Sequence, residues 1–589
     1  MTAESLFQPS DGSPSSATRV VRVIADVDAI DREFDYLVDA DAEIEIGMMV
    51  RIRLHNRPVA AWISAVDVTP PEGVKVQPLT KISGYGPPAE VVDLARWAAW
   101  RWAGPVPALL RTASPPTLVR GLPLPPRHFP VPAVVADEAD QELFRTALDL
   151  PLSILRLPPT FDVTPLLLMA AQRGPIIIAT ATNGAARTLG MRLRRAGVPI
   201  AIGADEWRMA RAGWASIIGT RSVAFAPLAK PAAIIILEEH VESYQQEQTP
   251  TWNARDVLIE RARRLQIPCI ATSSIPSLEI LEQAPLLTVT RNQEREGWPI
   301  MQVIDRNGEP PGQGLFSERL VQVLRSERRA LCILNRKGRS RLLGCANCGV
   351  VAACESCGAA VTQQDDGQLL CSQCKTLRPV VCLQCHSTKM KNLRRGVTRA
   401  REELEALLRE PVGEVSDKGD LASERVIIGT EAALYRINGT DLVVFLDFDQ
   451  ELFAPRSRAA MEAFALLVRA AKLVGGRARG GEVVVQTQAP QHEVIQSALR
   501  ADPMLAIEKE RERRQLLGLA PYAAMALISG QAAEQWVDRY KPSLGVQLLG
   551  PSDGKWLLKA PDHETLSREI ASVARPAGRL RIEVDPLRF

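Results

Sequence analysis

The sequence predicts a multidomain α/β protein that carries a cysteine-rich module inside its second α/β body. Three patterns lead there. From about residue 150 to 290, and again from Ala330 to Thr487, short β-type apolar runs alternate with helical segments. Four C-x-x-C pairs fall between Cys345 and Cys385, within the second of these stretches. Ahead of both, residues 19–68 alternate apolar and polar residues in short runs separated by Gly, Asp and Asn, the pattern of a small antiparallel β domain.

Composition agrees with that division. A chain of 589 residues, 46% apolar and 24% charged, makes about four domains at about 150 residues each. The formal net charge of +3 is too small to mark a nucleic-acid binder, so any such function must rest on local clusters. The apolar runs PLLLMAA and AAIIIL are soon interrupted by polar residues, far short of the ~20 needed to span a bilayer. The opening MTAESLFQPSDGSPSSATR has no signal-peptide core and reads as a disordered Ser/Pro-rich tail. A cytoplasmic protein with no membrane partner is expected. In that reducing compartment, clustered cysteines point to metal ligation over disulfides.

In the β domain the runs are ATRVVRVIADV, EFDYLV, MMVRIRL and VAAWISAV. Residues 89–111 carry apolar residues at helical spacing and are followed by a Pro-rich linker, 115–131. The first α/β body holds the strands PIIIATAT, ASIIGT, AAIIILEEH and PCIATSS, with helices such as AARTLGMRLRRAG and ARDVLIERARRL between them. The second holds ALCILN, RVIIGT, LVVFLDFD and EVVVQTQ. Two such parallel sheets in tandem are expected to face each other across a cleft. From about 503 a charged helix, EKERERRQLLG, opens a last region that ends in the strand LRIEVDP.

The cysteine module reads CANC, five residues, CESC, thirteen residues, CSQC, seven residues, CLQC. Each pair can give two thiolates to one tetrahedral ion, so four pairs satisfy two Zn(Cys)4 sites with none left over. Nesting assigns Cys345, Cys348, Cys382 and Cys385 to one zinc, and Cys354, Cys357, Cys371 and Cys374 to the other. The alternatives are disulfides, an iron–sulfur centre or unrelated cysteines. Cys382-x-x-Cys385-His386 also fits a c-type haem attachment, but that chemistry needs export. The remaining Cys269 and Cys332 lie in strand-like apolar runs and read as core. After the module, Lys389, Lys391, Arg394, Arg395, Arg399 and Arg401 precede the first acidic residue, Glu402. A phosphate-facing patch and a solvated loop leading into the helix TRAREELEALL are equally open readings.

This order of parts resembles the PriA family, superfamily 2 DNA helicases of replication restart. The likeness runs over nearly the whole chain after residue 19. DREFDYLV (31–38) is similar to the opening of the family's domain that grips a DNA 3′ end, and IIGTRSVAFAPL (217–228) to its G-T-R-S-A-x-F-x-P-L segment. EEHVESYQQEQTPTWNARD (238–256) looks like its D-E-E-H box and aromatic-rich loop; SSIPSLE, LNRKGRS, the C-x-x-C pairs, GEVVVQT and ERRQLLGLAPY follow in the family's order. The resemblance implies a disordered tail at 1–18, a β domain for DNA 3′ ends at 19–80 and a winged-helix-like unit with linker at 81–125. It further implies a RecA-like helicase-type lobe at 126–290 and a second at 291–340 and 389–502, interrupted by a paired zinc ribbon at 341–388. A small C-terminal α/β domain takes up 503–589.

Departures from the family pattern concentrate in the nucleotide machinery. No G-x-x-x-x-G-K-[ST] exists in the chain; at the expected place stands ILRLPPTFDVTPLLLMAA, with prolines where phosphate-binding N–H donors are required and no lysine. Leu237 replaces the Mg²⁺-holding aspartate of the D-E-E-H box, leaving Glu238, Glu239 and His240. The family's Q-V-A-G-R-A-G-R reads RAAKLVGG here, with Leu473 and Gly476 at the arginine positions, although Arg477 and Arg479 lie just downstream. Its K-G-x-D-F is replaced by EAALYRINGT.

The expectation is therefore a helicase-like scaffold, a pseudo-helicase with no catalytic residues of its own. It would bind branched or forked DNA and single-stranded DNA, act with other primosome components and the helicase-loading machinery, and work as a monomer. Two zinc ions are the expected cofactors, and the residues that would hold ATP and Mg²⁺ are missing. The candidate DNA contacts are Phe34, Asp35 and Tyr36, with Arg51, Arg53 and Arg57 on the following strands, then Tyr244 and Trp252, and Lys389, Lys391, Arg394 and Arg395. Phe34 and Tyr36, two apart on one strand, fit core packing better than DNA contact. Tyr244 and Trp252 sit in a polar loop that does not look like core and suit base stacking. Two alternatives stay open: an active ATP-dependent 3′ to 5′ helicase with an atypical nucleotide site, and a zinc-dependent assembly protein that touches DNA weakly.

Overall fold

Alternating β-branched runs on the N-terminal side pair into one six-stranded sheet. In the computed structural model, β1 (Thr18–Ala25), β2 (Glu33–Asp39), β3 (Met49–Leu54), β4 (Arg57–Val66), β5 (Gln77–Pro78) and β6 (Lys81–Gly84) lie in the order β5-β2-β1-β4-β3-β6. All neighbours are antiparallel except β2 and β5. The structure describes residues 18–588 apart from 31, 71, 74, 128–132, 308, 310–313, 335–342, 349–351, 353, 356–360, 365–366, 372–375, 393–396, 416–422 and 455. The expected disordered tail and the LNRKGRS segment beyond Leu334 fall outside the described residues. Val21, Val23, Tyr36, Val50, Ile52 and Ile63 form the core of the sheet. α1 (Ala89–Arg101) and α2 (Val106–Ala113) follow. Described residues of 81–125 hold β6 and these two helices, with no third helix of a separate winged-helix unit.

After α3 (Glu138–Asp149), the first α/β body forms around β7 (Leu152–Arg156), β8 (Ile176–Ala179), β9 (Ile200–Ile202), β10 (Ser216–Gly219), β11 (Ala233–Ile236), β12 (Cys269–Ser273) and β13 (Leu286–Thr288). Their order is β13-β7-β12-β11-β8-β10-β9, and every pairing is parallel. The central strands are buried throughout, which is why they read as unbroken apolar runs. α4 (Thr164–Gln172), α5 (Asn183–Arg195), α6 (Trp207–Arg211) and α7 (Ala254–Leu265) are among the connecting helices.

The chain divides into two units, one of Met1–Leu157, Phe161–Thr290 and Ile507–Phe589, the other of Pro158–Thr160 and Arg291–Ala506. In the second unit, β14 (Ile300–Asp305), β15 (Ala330–Ile333), β21 (Val412–Val415), β22 (Val426–Gly429), β23 (Leu442–Phe445) and β24 (Glu482–Thr487) make another parallel sheet, ordered β14-β24-β23-β15-β22-β21. The strands β16 (Leu343–Cys345), β17 (Val361–Gln363), β18 (Gln368–Cys371), β19 (Leu377–Pro379) and β20 (Met390–Asn392) belong to the cysteine module, which enters between β15 and β21.

The last region returns to the first unit. β25 (Ala524–Ser529), β26 (Gln547–Ser552), β27 (Lys555–Ala560) and β28 (Arg581–Val584) form an antiparallel sheet in the order β26-β27-β25-β28. It is tied to α1 by Arg101, whose guanidinium donates to Asp585 at 2.7 Å, while His563 Nε2 meets the other carboxylate oxygen at 2.9 Å. No helix among the described residues is long and apolar enough to cross a membrane.

Candidate functional site

Between β7 and α4, where the sequence likeness expects a P-loop, the structure places the carboxylate of Asp162. Asp162 Oδ1 accepts from the Thr164 backbone N–H at 3.0 Å and the Thr164 hydroxyl at 2.6 Å, and Arg192 on α5 donates to both Asp162 oxygens at 3.1 and 2.6 Å. Against the opposing effect of burial, these hydrogen bonds hold the Asp162 carboxyl below the usual carboxylate range. Pro165 has no N–H, and Leu167 N–H is already bonded to Val163 O at 3.2 Å. The first turn of α4 thus has few donors left for an incoming anion.

At the end of β11, Leu237 is buried in the same apolar cluster as Leu155, Leu166 and Leu167. Its carbonyl accepts the Tyr244 hydroxyl at 2.7 Å. Glu239, 2% exposed, accepts from Ser277 N–H at 2.8 Å, Ser277 hydroxyl at 2.7 Å and Arg255 at 3.2 Å. Burial pushes the Glu239 carboxyl up while Arg255 and the Ser277 donors pull it back. His240 Nδ1 lies 2.7 Å from Ser273 Oγ. The E-E-H box is therefore bound into the SSIPSLE segment even though its first position is aliphatic.

In the second unit, the helix Ala459–Val474 ends at Gly475, which has φ +88°. A Cβ at Gly476 would stand 2.4 Å from Glu296 O, so no side chain fits there without moving backbone. Arg469 is committed elsewhere: it donates to Leu434 O at 3.0 Å and lies 4.8 Å above the Tyr435 ring. Arg477 and Arg479 are exposed on the following turn.

The cysteine module gathers Cys345, Cys348, Cys382 and Cys385 so that all four Sγ atoms lie within 4.8 Å of one another. Cys345 and Cys385 are 3.4 Å apart, and Cys348 and Cys382 are 3.5 Å apart. A tetrahedral ion with metal–sulfur bonds of ~2.3 Å needs sulfur–sulfur edges of about 3.8 Å, so the four thiols fit a zinc ion. β16 pairs with β20 to bring the first knuckle beside the last, with Cys345 opposite Met390. Backbone N–H groups of Cys348 and Asn347 lower the Cys345 thiol to about 6, as suits a thiolate ligand. Of the second expected set, Cys354 and Cys371 are buried together in the small core made by Leu343, Val361 and Leu369. Cys357 and Cys374 lie outside the described residues, as do Arg394 and Arg395. Lys389 is exposed, and Lys391 lies on β20 opposite Gly344.

In the N-terminal sheet, Tyr36 is core and its hydroxyl donates to Arg53 O at 2.9 Å. Phe34 is half-buried beneath Arg32, and Asp35 takes a two-pronged contact from Arg22 at 2.8 and 3.1 Å. Arg51, Arg53 and Arg57 are exposed. Residues 22–115, comprising this sheet and both helices behind it, match the model of a 3′ DNA-binding domain, that of PriA. The replication restart proteins PriA of Bacillus subtilis strain 168 and Haemophilus influenzae are each 29% identical to the chain. The matches run over 396 and 439 residues and cover 59% and 64% of this chain and 49% and 60% of the relatives. Over these spans the chain is similar to PriA proteins.

The PriA of Thermotoga maritima is 27% identical over 388 residues, covering 60% of this chain and 52% of the relative. The chain spans about half to three fifths of the length of these PriA relatives. Among solved structures, the DExH-box NTPase HrpB of Escherichia coli aligns over 62% of this chain and 42% of its own at a TM-score of 0.34 and 15% identity, a likeness too slight to add to the argument. The PriA 3′ DNA-binding domain takes in α1 and α2, the residues that sequence reading set apart as a winged-helix-like unit.

One expectation from the PriA likeness needs correction. Tyr244 and Trp252 are 1% and 3% exposed. Trp252 packs edge-on against Phe225 at 5.0 Å, and Tyr244 is anchored through its hydroxyl to Leu237. Neither ring presents a face for a base to stack on. The inward polar residues of the loop are bonded: Gln245 donates to Thr251 O at 2.5 Å, Asn253 donates to Gln245 Oε1 at 2.9 Å, and the Thr251 hydroxyl reaches Val584 O at 3.1 Å. Gln245 and Thr251 of this polar sequence are thereby interior, while Glu242, Ser243, Glu247, Gln248 and Thr249 stay exposed.

Proposed function

We propose that the protein is a DNA-binding scaffold of replication restart that works without hydrolysing ATP. On this reading it binds branched or forked DNA through its N-terminal body and, with primosome components and the helicase-loading machinery, helps to reload the replicative helicase. The observation that carries the reading is Asp162. A carboxylate bonded to the Thr164 N–H and hydroxyl and to Arg192 takes the place where a nucleotide phosphate would need the same kinds of donor, and it repels an incoming anion. Leu237 in an apolar cluster and the crowded backbone at Gly476 support it independently.

Two zinc ions, one held by Cys345, Cys348, Cys382 and Cys385 and the other by Cys354, Cys357, Cys371 and Cys374, complete the proposal. Closed Zn(Cys)4 sites leave no coordination position for catalysis, so their part is to stabilise and present the module. Lys389, Lys391, Arg394 and Arg395 follow it as a further phosphate-facing group.

The test is equilibrium binding of a fluorescent, non-hydrolysable ATP analogue to the zinc-replete full chain with saturating forked DNA and Mg²⁺. The scaffold reading expects no saturable binding up to about 1 mM, a level equivalent to about −4.1 kcal/mol. Saturation in the micromolar range would favour a helicase with an atypical nucleotide site.

A further inference from the structure

The cations of the N-terminal body differ in how they are partnered. Four of its arginines are neutralised within it: Arg19 by Asp67, Arg22 by Asp35, Arg96 by Glu33 and Asp93, and Arg111 by Asp26 and Asp28. Arg51, Arg53 and Lys81 are exposed and have no ion-pair partner among the described residues. They share one face. Arg51 and Arg53 are two apart on β3, and Lys81 on β6 is directly opposite Arg51.

Opposed residues on antiparallel strands have Cβ atoms only about 5 Å apart, and like charges so placed destabilise a sheet. No ion pair among the described residues offsets that repulsion, so the arrangement is one that an anionic ligand would relieve. On β4, the residues opposite Arg51 and Arg53 are Ala60 and Pro58, short side chains that leave the cations standing above a shallow floor. Neither these residues nor the three cations offer an aromatic platform. Proteins that hold single strands interleave cations with aromatic rings, whereas a duplex keeps its bases stacked and offers phosphates alone.

We infer that the β3–β6 face bearing Arg51, Arg53 and Lys81 grips the phosphate backbone of a double-stranded arm of the DNA. This rests on the reading of the N-terminal body as a DNA-binding domain and adds which strand form one face of it takes. Tyr36, donating to Arg53 O, fixes the β3 backbone from below.

The experiment compares the wild-type full chain with the Arg51→Ala/Arg53→Ala/Lys81→Ala variant by fluorescence anisotropy across a salt series. The DNAs are a blunt duplex, a three-armed fork and a single-stranded oligonucleotide; Arg19→Ala, which removes a paired arginine, is the control. Each lost phosphate contact lowers the slope of log K against log[salt] by about 0.9 on duplex and about 0.7 on a single strand. The variant is expected to lose about 2 to 3 from the slope on duplex and fork, with the single-strand slope unchanged and the melting temperature not lowered. An unchanged duplex slope overturns the inference while leaving DNA binding by the body intact. A slope loss confined to the single strand overturns it in favour of a single-strand face. Absence of DNA binding by the wild type overturns both this inference and the reading beneath it.

Discussion

On the proposed reading, Asp162, Leu237 and Gly476 each put an obstacle where phosphoryl chemistry would need a functional group, and the three obstacles differ in kind. Asp162 is a competing anion, Leu237 an apolar residue in an apolar cluster, and Gly476 a position closed to side chains by Glu296 O. Restoring one of them leaves the other two. Tyr244 is the residue whose placement most changes how the D-E-E-H region is understood. With its hydroxyl on Leu237 O and its ring buried, it holds the loop to the end of β11 and does not reach for DNA. Tyr244→Phe, which keeps the ring and leaves the carbonyl without that donor, is expected to cost about 1–2 kcal/mol in denaturant unfolding and to leave fork affinity within about twofold. A tenfold loss of affinity with unchanged stability would return Tyr244 to the DNA interface.

At the scale of elements, the two parallel sheets could be read from their central strands because residues buried on both faces leave no alternation to misread. PIIIAT, AAIIIL and LVVFLD are of this kind, and β8, β11 and β23 lie within them. Strand β14 was not legible, since it lies at a sheet edge and is mostly half-exposed, so its pattern is weak. The 244–253 loop was misread for another reason. Hydropathy registers Gln245, Thr251 and Asn253 as solvent-seeking and cannot register that they bond to one another. The gathering of Cys345, Cys348, Cys382 and Cys385 was legible because C-x-x-C spacing fixes the local knuckle and the β16–β20 pairing brings the knuckles together. Metal analysis of the purified protein is expected to give two zinc equivalents, falling to one in Cys345→Ser and to one in Cys354→Ser. A wild-type value of one would refute the second site.

At the scale of the molecule, the N-terminal body, the first α/β body and the C-terminal sheet belong to one compact unit. The Arg101–Asp585–His563 contact is one of its internal ties. Against the effect of burial, Arg101 and His563 hold the Asp585 carboxyl well below the ordinary carboxylate range. A carboxyl depressed in the folded state adds stability above its unfolded value of about 3.9, and that stability is lost as pH falls through and below it. Asp585→Asn is therefore expected to destabilise this unit by about 3 kcal/mol near pH 7, with the gap to wild type narrowing below about pH 4. A gap independent of pH would show that the ion pair contributes little.

On the proposed reading, this chain keeps a DNA-facing body similar to that of PriA while the nucleotide position of its first sheet is closed. Steady-state ATP hydrolysis by the zinc-replete full chain, with and without a forked DNA that it is shown to bind in the same preparation, tests this most directly. Fork binding with hydrolysis at background in both conditions is the predicted result. Fork-stimulated hydrolysis at about 1 s⁻¹ or faster, within the ordinary range for enzymes, would contradict it.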